Sequence, residues 1–328
     1  MSQVFKIRIL LVICLILLFH SASFSQTEKQ IVPGDLKQQT IVTEPATLRK
    51  GFLRAGILLN YRVADRFFTE SGAKEYYTSS TWNSKAAYNI TVQYGLTDRL
   101  QLDLSAEYLN LRRESQSTDN VSLNSTSTVV TTEQKGLGLG DTHFSASYQV
   151  IPENNNKVSM TGKIRLTIPT GEKNPTDIIN ENEYDLPVGD GTFALLTGLM
   201  ARTIVYPYSF TGYLQYVYNF EGTKIIDLAD TKETNFRFGN MIEAGLSANL
   251  HLNEWIVMAN ELNFYHEGKG KINDVYSPRL PASWAASYQP NLIFQVKKFR
   301  LGESVKIPLK GRNVPADPLY VIMIQYVF

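Results

Sequence analysis

The sequence predicts an all-β fold: a transmembrane antiparallel β-barrel of about twelve strands, entered after a cleaved signal peptide. Three observations predict it. Segments of about eleven residues alternate oily and wet side chains from residue 51 to the end. The breaks between them alternate short and long. The final segment ends the chain on Phe328, with aromatic residues on a single face.

The first residues address the chain outward. Lys6 and Arg8 are followed by an unbroken apolar run over residues 9–19. Ser23 and Ser25 then offer small residues at the positions a signal peptidase reads for a cut after Ser25. The run is too short to span a bilayer as a helix. Residues 1–25 are therefore expected to be a signal peptide. Residues 26–50, polar and carrying Pro33 and Pro45, are expected to be a periplasmic tail or to fold into the barrel mouth. The barrel should occupy 51–328.

Composition narrows the chemistry. The sole cysteine, Cys14, lies in the leader, so the mature chain has no disulfide and no thiolate metal site. Removing Lys6 and Arg8 from the 32 basic residues leaves 30 against 31 acidic ones. No clustered basic surface calls for nucleic acid. No stretch of 18 apolar residues follows the leader. A secreted chain without a spanning helix is either soluble or a barrel, and the strand pattern separates the two.

Strands are expected at about 51–61, 82–95, 99–111, 138–150, 157–168, 191–203, 208–220, 238–251, 254–265, 284–296, 299–308 and 318–328. In 157–168, Val158, Met160, Ile164, Leu166 and Ile168 share one face, while Lys157, Lys163 and Arg165 share the other. In 99–111, Leu100, Leu102 and Leu104 oppose Gln101, Asp103 and Glu107. Segments 82–95 and 238–251 read alike. Asn260, Pro290 and Glu303 fall on nominally oily faces, where a bulge, a rim position or a wrong face assignment is expected. Short breaks at 96–98, 152–156, 204–207, 252–253 and 297–298 alternate with longer polar ones such as 112–137 and 169–190. Short periplasmic turns, long outer loops and an even strand number describe a bacterial outer-membrane barrel with both termini inside. Tyr61, Tyr88, Tyr94, Tyr108, Tyr148 and Tyr265 are expected in the aromatic girdles.

In the last segment Tyr320, Ile322, Ile324, Tyr326 and Phe328 share one face. This resembles the terminal strand of outer-membrane barrels. The resemblance implies two partners, the barrel-assembly machinery and the outer-membrane bilayer.

A second resemblance lies mid-chain. Gly138, Gly140 and Asp141 open one strand, Pro169, Thr170 and Gly171 close the next, and Gly189-Asp190-Gly191 precedes a third. The spacing resembles outer-membrane proteins grouped under the meta-pathway of phenol degradation, best over 138–220. It implies a barrel linked to uptake of aromatic or hydrophobic compounds, without naming a solute. On the residues themselves, Gly138, Gly140 and Gly171 are expected to allow tight bends at the rim. Asp141 is expected at the rim of the lumen, in turn chemistry rather than ligand contact.

The wet faces give the lumen candidates: Arg54, Asp103, Glu107, Lys163, Arg165, Glu243, His251, Glu261, Arg300 and Lys306. They would either filter a permeating solute or pair into a network that fills the bore. A passive channel for small aromatic or hydrophobic solutes is thus the leading reading. The alternative is a structural or surface-binding barrel with a plugged lumen, whose loop aromatics Phe67, Phe68, Tyr76 and Tyr77 make the contacts. A remote third is a phospholipase-like enzyme, since His143 and Ser145 sit two residues apart. The alternation turns both away from lipid, so no catalytic residue is expected. No cofactor is expected. Metal is not expected either: three histidines remain after the leader without a cluster, and the acidic loop 172–190 fits no calcium-loop spacing.

Overall fold

The computed structural model describes residues 47–77, 82–120, 127–152, 158–180, 183–226 and 232–328. The expected signal peptide and nearly all of the expected tail lie outside the described residues. Twelve strands close into one antiparallel barrel. They are β1 (Leu53–Ala64), β2 (Trp82–Gly95), β3 (Leu100–Asn120), β4 (Ser127–Ile151), β5 (Val158–Ile168), β6 (Ala194–Val205), β7 (Tyr208–Asn219), β8 (Met241–His251), β9 (Ile256–Glu267), β10 (Ser283–Val296), β11 (Phe299–Arg312) and β12 (Leu319–Val327). Each pairs with its sequence neighbours, and β1 closes on β12 through pairs from Arg54↔Val327 to Tyr61↔Tyr320. Closure removes both sheet edges, which a hydrocarbon layer would leave unsatisfied.

The alternation sorts side chains as expected. Ile57, Ile90, Leu104, Ile164, Leu214 and Ile324 all point out and are exposed. Their neighbours Arg54, Asp103, Ser145, Thr161, Ser247 and Gln289 point in and are buried. Tyr61, Tyr88, Tyr94, Tyr108 and Tyr148 lie on the outside. Tyr265 does not join them. The ladder pairs it with Glu243 and Ala285, both inward, so it faces the lumen. The competing register of this strand resolves in favour of Met258, Leu262 and Phe264 outside, at the cost of putting Asn260 outside too. The Asn260 amide carbonyl is satisfied there by the Tyr288 hydroxyl at 2.5 Å. Pro290 also faces out. It has no N–H to give, and the β10–β11 pairing breaks at Gln289 and Pro290. Glu303 is exposed on the outer face in the first half of β11.

Connections depart from expectation at one long break. Residues 112–137 are not an irregular loop. β3 and β4 continue as a paired hairpin far past the rim, from Leu111↔Gly136 out to Asn120↔Ser127. The strand expected from residue 191 starts at Ala194, so Gly189-Asp190-Gly191 lies in the loop before it. Gly138 to Asp141 likewise lies within β4 and does not open it.

Three small sheets dress the long-loop end. One joins 222–225, 233–237, 271–272 and 275–276. A second joins 314–315, 66–68 and 74–76 across the seam between the first and last strands. The third pairs 176–180 with 183–185. At that seam Asp317 accepts hydrogen bonds from the Arg66 guanidinium and from the backbone N–H groups of Asp65 and Arg66. Burial alone would raise the Asp317 pKa, but these donors outweigh it and hold the carboxyl below its usual range.

Candidate functional site

Three glycine motifs converge on the rim. β4 carries a bulge: Gly140 and Asp141 together oppose the single residue Glu107 of β3. The bulge turns Asp141 toward the loop that follows β5. Its carboxylate accepts the N–H of Gly171 at 3.1 Å and the N–H of Asp190 at 3.0 Å. Thr170 donates its hydroxyl to the Gly140 carbonyl at 3.1 Å. The glycines are needed for close approach, not for bends. A Cβ on Gly171 would sit 2.8 Å from Gly189 Cα and 3.0 Å from the Gly140 carbonyl carbon. A Cβ on Gly138 meets only ordinary contact, and none of Gly138, Gly140 and Gly171 has positive φ, so the expectation of tight bends is corrected. Gly191, with φ +77°, is the one that does.

The knot holds residues 171–175 and 184–192 over the opening. Val188 drops among the inward side chains Ala87 and Leu109, forming an apolar cluster with Leu111. Lys173 Nζ reaches Glu233 at 2.8 Å and Thr223 Oγ1 at 2.9 Å, tying the loop to the outer sheet. Hydrogen bonds from Lys173, Thr223 and Asn174 pull the Glu233 carboxyl down to about 2.

All the lumen candidates face inward, at different levels. Arg54 and Arg300 lie near the short-turn end. Arg54 Nε donates to Gln93 at 2.5 Å, and Arg300 donates to Gln295 at 2.7 Å. His251 lies at that end too, with its ring 3.4 Å from the Ser209 hydroxyl. Asp103 accepts from Gln101 Nε2 at 2.5 Å and from Ser145 Oγ at 3.1 Å. His143 Nδ1 sits 3.0 Å from Thr167 Oγ1. Ser145 and His143 are therefore committed to different partners and do not form a nucleophile–base pair. Glu243 accepts from the Tyr213 hydroxyl at 3.4 Å on the far wall, the side to which Glu261 and Lys306 also turn. Asp103, Glu107, Lys163 and Arg165 come together around one cavity of about 270 Å³ in the bore.

That cavity has an oily side that the alternation rule concealed. Leu58 and Met323, paired across the β1–β12 seam, line it on one side of the charged residues, and Met200 on β6, next to β5, lines it on the other. Ile293 and Val321 pack beside Met323, also facing in. A signal was present: 57–59, 199–201, 292–294 and 321–324 are unbroken apolar runs, and an unbroken run means oily side chains on both faces. The bore is thus amphipathic.

Above it lies a wider mouth cavity of about 560 Å³. Tyr77, Leu111, Tyr184, Leu186 and Ile225 contribute its apolar wall, and Arg62, Lys85, Arg112, Arg113 and Lys224 its charge. Burial pushes the Lys224 ammonium below its ordinary value, against the pull of Asp190 and Asp141. The loop aromatics divide by role. Phe67 stacks on Tyr77 with centroids 4.9 Å apart. Phe68 is buried with Ala285, Val314 and Ala316, so it belongs to the seam's core and not to a contact surface. Tyr76 alone of the four is fully exposed. At the opposite end Thr47 and Leu48 are buried, and the Leu48 N–H donates to the inward side chain of Gln101 at 2.8 Å. The last residues of the expected tail thus enter the barrel. Among the described residues no group of histidine, cysteine and carboxylate side chains is spaced to hold a metal.

A closed twelve-stranded meander, oily outside and amphipathic inside, is the fold of a bacterial outer-membrane β-barrel. No family model matches the chain. Among solved structures the fold is similar to the COG4313 outer membrane channel from Pseudomonas putida F1, with TM-score 0.67 and 16% identity over 91% of this chain and 100% of that one. More distant likenesses are the NanC porin, with TM-score 0.44, 8% identity and 83% and 98% coverage, and the Ralstonia pickettii toluene transporter TbuX, with TM-score 0.41, 8% identity and 86% and 90% coverage.

Proposed function

We propose that this protein is a passive outer-membrane channel for small hydrophobic or aromatic solutes. The observation that carries the reading is the amphipathic bore. Leu58, Met200 and Met323 offer oily surface on either side of Asp103, Glu107, Lys163 and Arg165. A purely polar lumen would reject an apolar solute, because such a solute would displace water without replacing its hydrogen bonds. The knot at Asp141 is built from the motifs whose spacing resembles outer-membrane proteins grouped under the meta-pathway of phenol degradation, and that resemblance supports the same solute class. The signal peptide at 1–25 and recognition of the last strand by the assembly machinery complete the proposal.

Proteoliposome uptake tests it. Vesicles carrying the barrel should admit a radiolabelled aromatic solute faster than protein-free vesicles, and Met323→Trp should slow the uptake several-fold. Equal rates with and without protein would end the channel reading. The plugged-barrel alternative has one observation in its favour, the burial of Thr47 and Leu48 inside the short-turn end. Deleting residues 26–48 separates the two: a plug predicts a jump in single-channel conductance, and an open bore predicts little change.

A further inference from the structure

Two cations face each other in the outer mouth, and among the described residues no carboxylate lines the cavity beside them. Arg62 of β1 and Lys85 of β2 are direct partners across the ladder, and both project inward. Like charges so placed repel and weaken a strand pair. Arg113 stands two pairs further out on the β2–β3 ladder, its Nε donating to Asn83 at 3.1 Å. Lys224 closes over them from the outer sheet, and all four border the mouth cavity.

The nearby carboxylates do not resolve this. Asp317 acts on Arg62 from a distance, but its oxygens are held by Arg66 and two backbone N–H groups. Glu133 is bound to Arg112 and Lys135. Asp141 and Asp190 act on Lys224 from the knot, where both Asp141 oxygens are occupied. Glu107 acts on Lys85 from the bore below. None of these lines the cavity. Arg62 Nε is buried without a hydrogen-bond partner, and no described carboxylate lies within 4.0 Å of Arg62.

We propose that the mouth cavity binds a small anionic amphiphile, an aromatic or aliphatic carboxylate, with its charge on Arg62 and Lys85 and its apolar body on Tyr77, Leu111 and Ile225. Four features select that class. A guanidinium fork matches a carboxylate in two parallel hydrogen bonds. An anion between Arg62 and Lys85 relieves their repulsion. The apolar wall rewards a hydrocarbon body and gives a bare inorganic anion nothing. A volume of about 560 Å³ suits a ligand of this size. That the ligand is also cargo rests on the channel reading; that it binds does not.

The test is calorimetry on the full chain in a non-ionic detergent, with benzoate, benzyl alcohol and inorganic phosphate as probes. Benzoate should bind at least tenfold tighter than either of the others. The double variant Arg62→Gln/Lys85→Gln should lose that preference, and Arg62→Lys should keep part of it. Heat-modifiable gel mobility shows whether each variant is a folded barrel. Should the double variant fail to fold, the wild type still decides: raising salt from 50 to 500 mM should weaken benzoate and leave benzyl alcohol unmoved. Equal affinity for benzoate and benzyl alcohol, phosphate as tight as benzoate, a preference surviving in the double variant, or salt-independent benzoate binding would each overturn the proposal. Uptake of a neutral aromatic solute into proteoliposomes separates the two readings. Uptake faster than in empty vesicles without benzoate preference sinks the site and leaves the channel. Benzoate binding without such uptake sinks the channel and leaves the site.

Discussion

The carboxylate of Asp141 and the backbone N–H of Asp190, 49 residues apart in sequence, meet at 3.0 Å on the rim of the barrel. With the second contact to Gly171, this one side chain fixes both ends of the chain that crosses the mouth, at Gly171 and at Asp190. Replacing it with alanine leaves two backbone donors without their acceptor. Asp141→Ala should lower barrel stability by about 1–3 kcal/mol, measured as the urea midpoint of heat-modifiable mobility in lipid vesicles. Gly171→Ala should do the same by a different route, because its Cβ has no room against Gly189. A wild-type midpoint in both variants would show that the loop holds its place without the knot.

The seam gives a pH-dependent prediction. The Asp317 carboxyl is held below its ordinary pKa of 3.8 by Arg66 and its neighbours. A lowered folded-state value means that its stabilisation is fully present above the unfolded pKa. It fades as pH falls through the lower folded value. Asp317→Asn should therefore cost about 1 kcal/mol at pH 7, after allowance for solvent screening of this partly exposed pair. The gap between wild type and variant should close in strongly acidic buffer. A gap that widens on acidification would contradict the assignment.

The outer sheet should be insensitive to mild acid. Glu233 is held at about 2, so its links to Lys173, Thr223 and Asn174 persist well below pH 4. Hydrogen exchange at the Ile225 N–H, which donates to Asn174 at 2.8 Å, reports on them. Protection there, corrected for intrinsic rates, should be the same at pH 4 and pH 7 in the wild type and should fall in Glu233→Gln. Loss of protection at pH 4 in the wild type would count against the link.

The charged wall should act on permeating ions. Lys163 and Arg165 face the bore beside Asp103 and Glu107. Lys163→Glu should move the reversal potential in planar bilayers toward cation selectivity. An unmoved potential in both Lys163→Glu and Arg165→Glu would place the ion path elsewhere.

Most of the barrel was legible in the sequence because its rule is local. Successive side chains take opposite faces, so 157–168 announced Lys163 and Arg165 as inward without any tertiary information. The same rule misled where both faces are oily: it read the last strand as a lipid contact and said nothing of Val321 and Met323 behind it. It also assigned Tyr265 to the girdle, because aromatic type outweighed parity. The glycine motifs were visible, but their reason was not. Close approach of Gly140, Gly171 and Gly189 is a contact between distant segments, and no local pattern encodes it. The mouth pair Arg62 and Lys85 depends on the β1–β2 register, which fixes who faces whom only once the strands are paired.

The most direct test of the central claim is the uptake of a radiolabelled neutral aromatic solute into proteoliposomes carrying wild type or Met323→Trp at matched folded-barrel density. If the oily track of the bore conducts, the wild type is several-fold faster than empty vesicles and the tryptophan variant falls most of the way back. A variant as fast as the wild type, or a wild type no faster than lipid alone, would show that such solutes do not travel through this lumen.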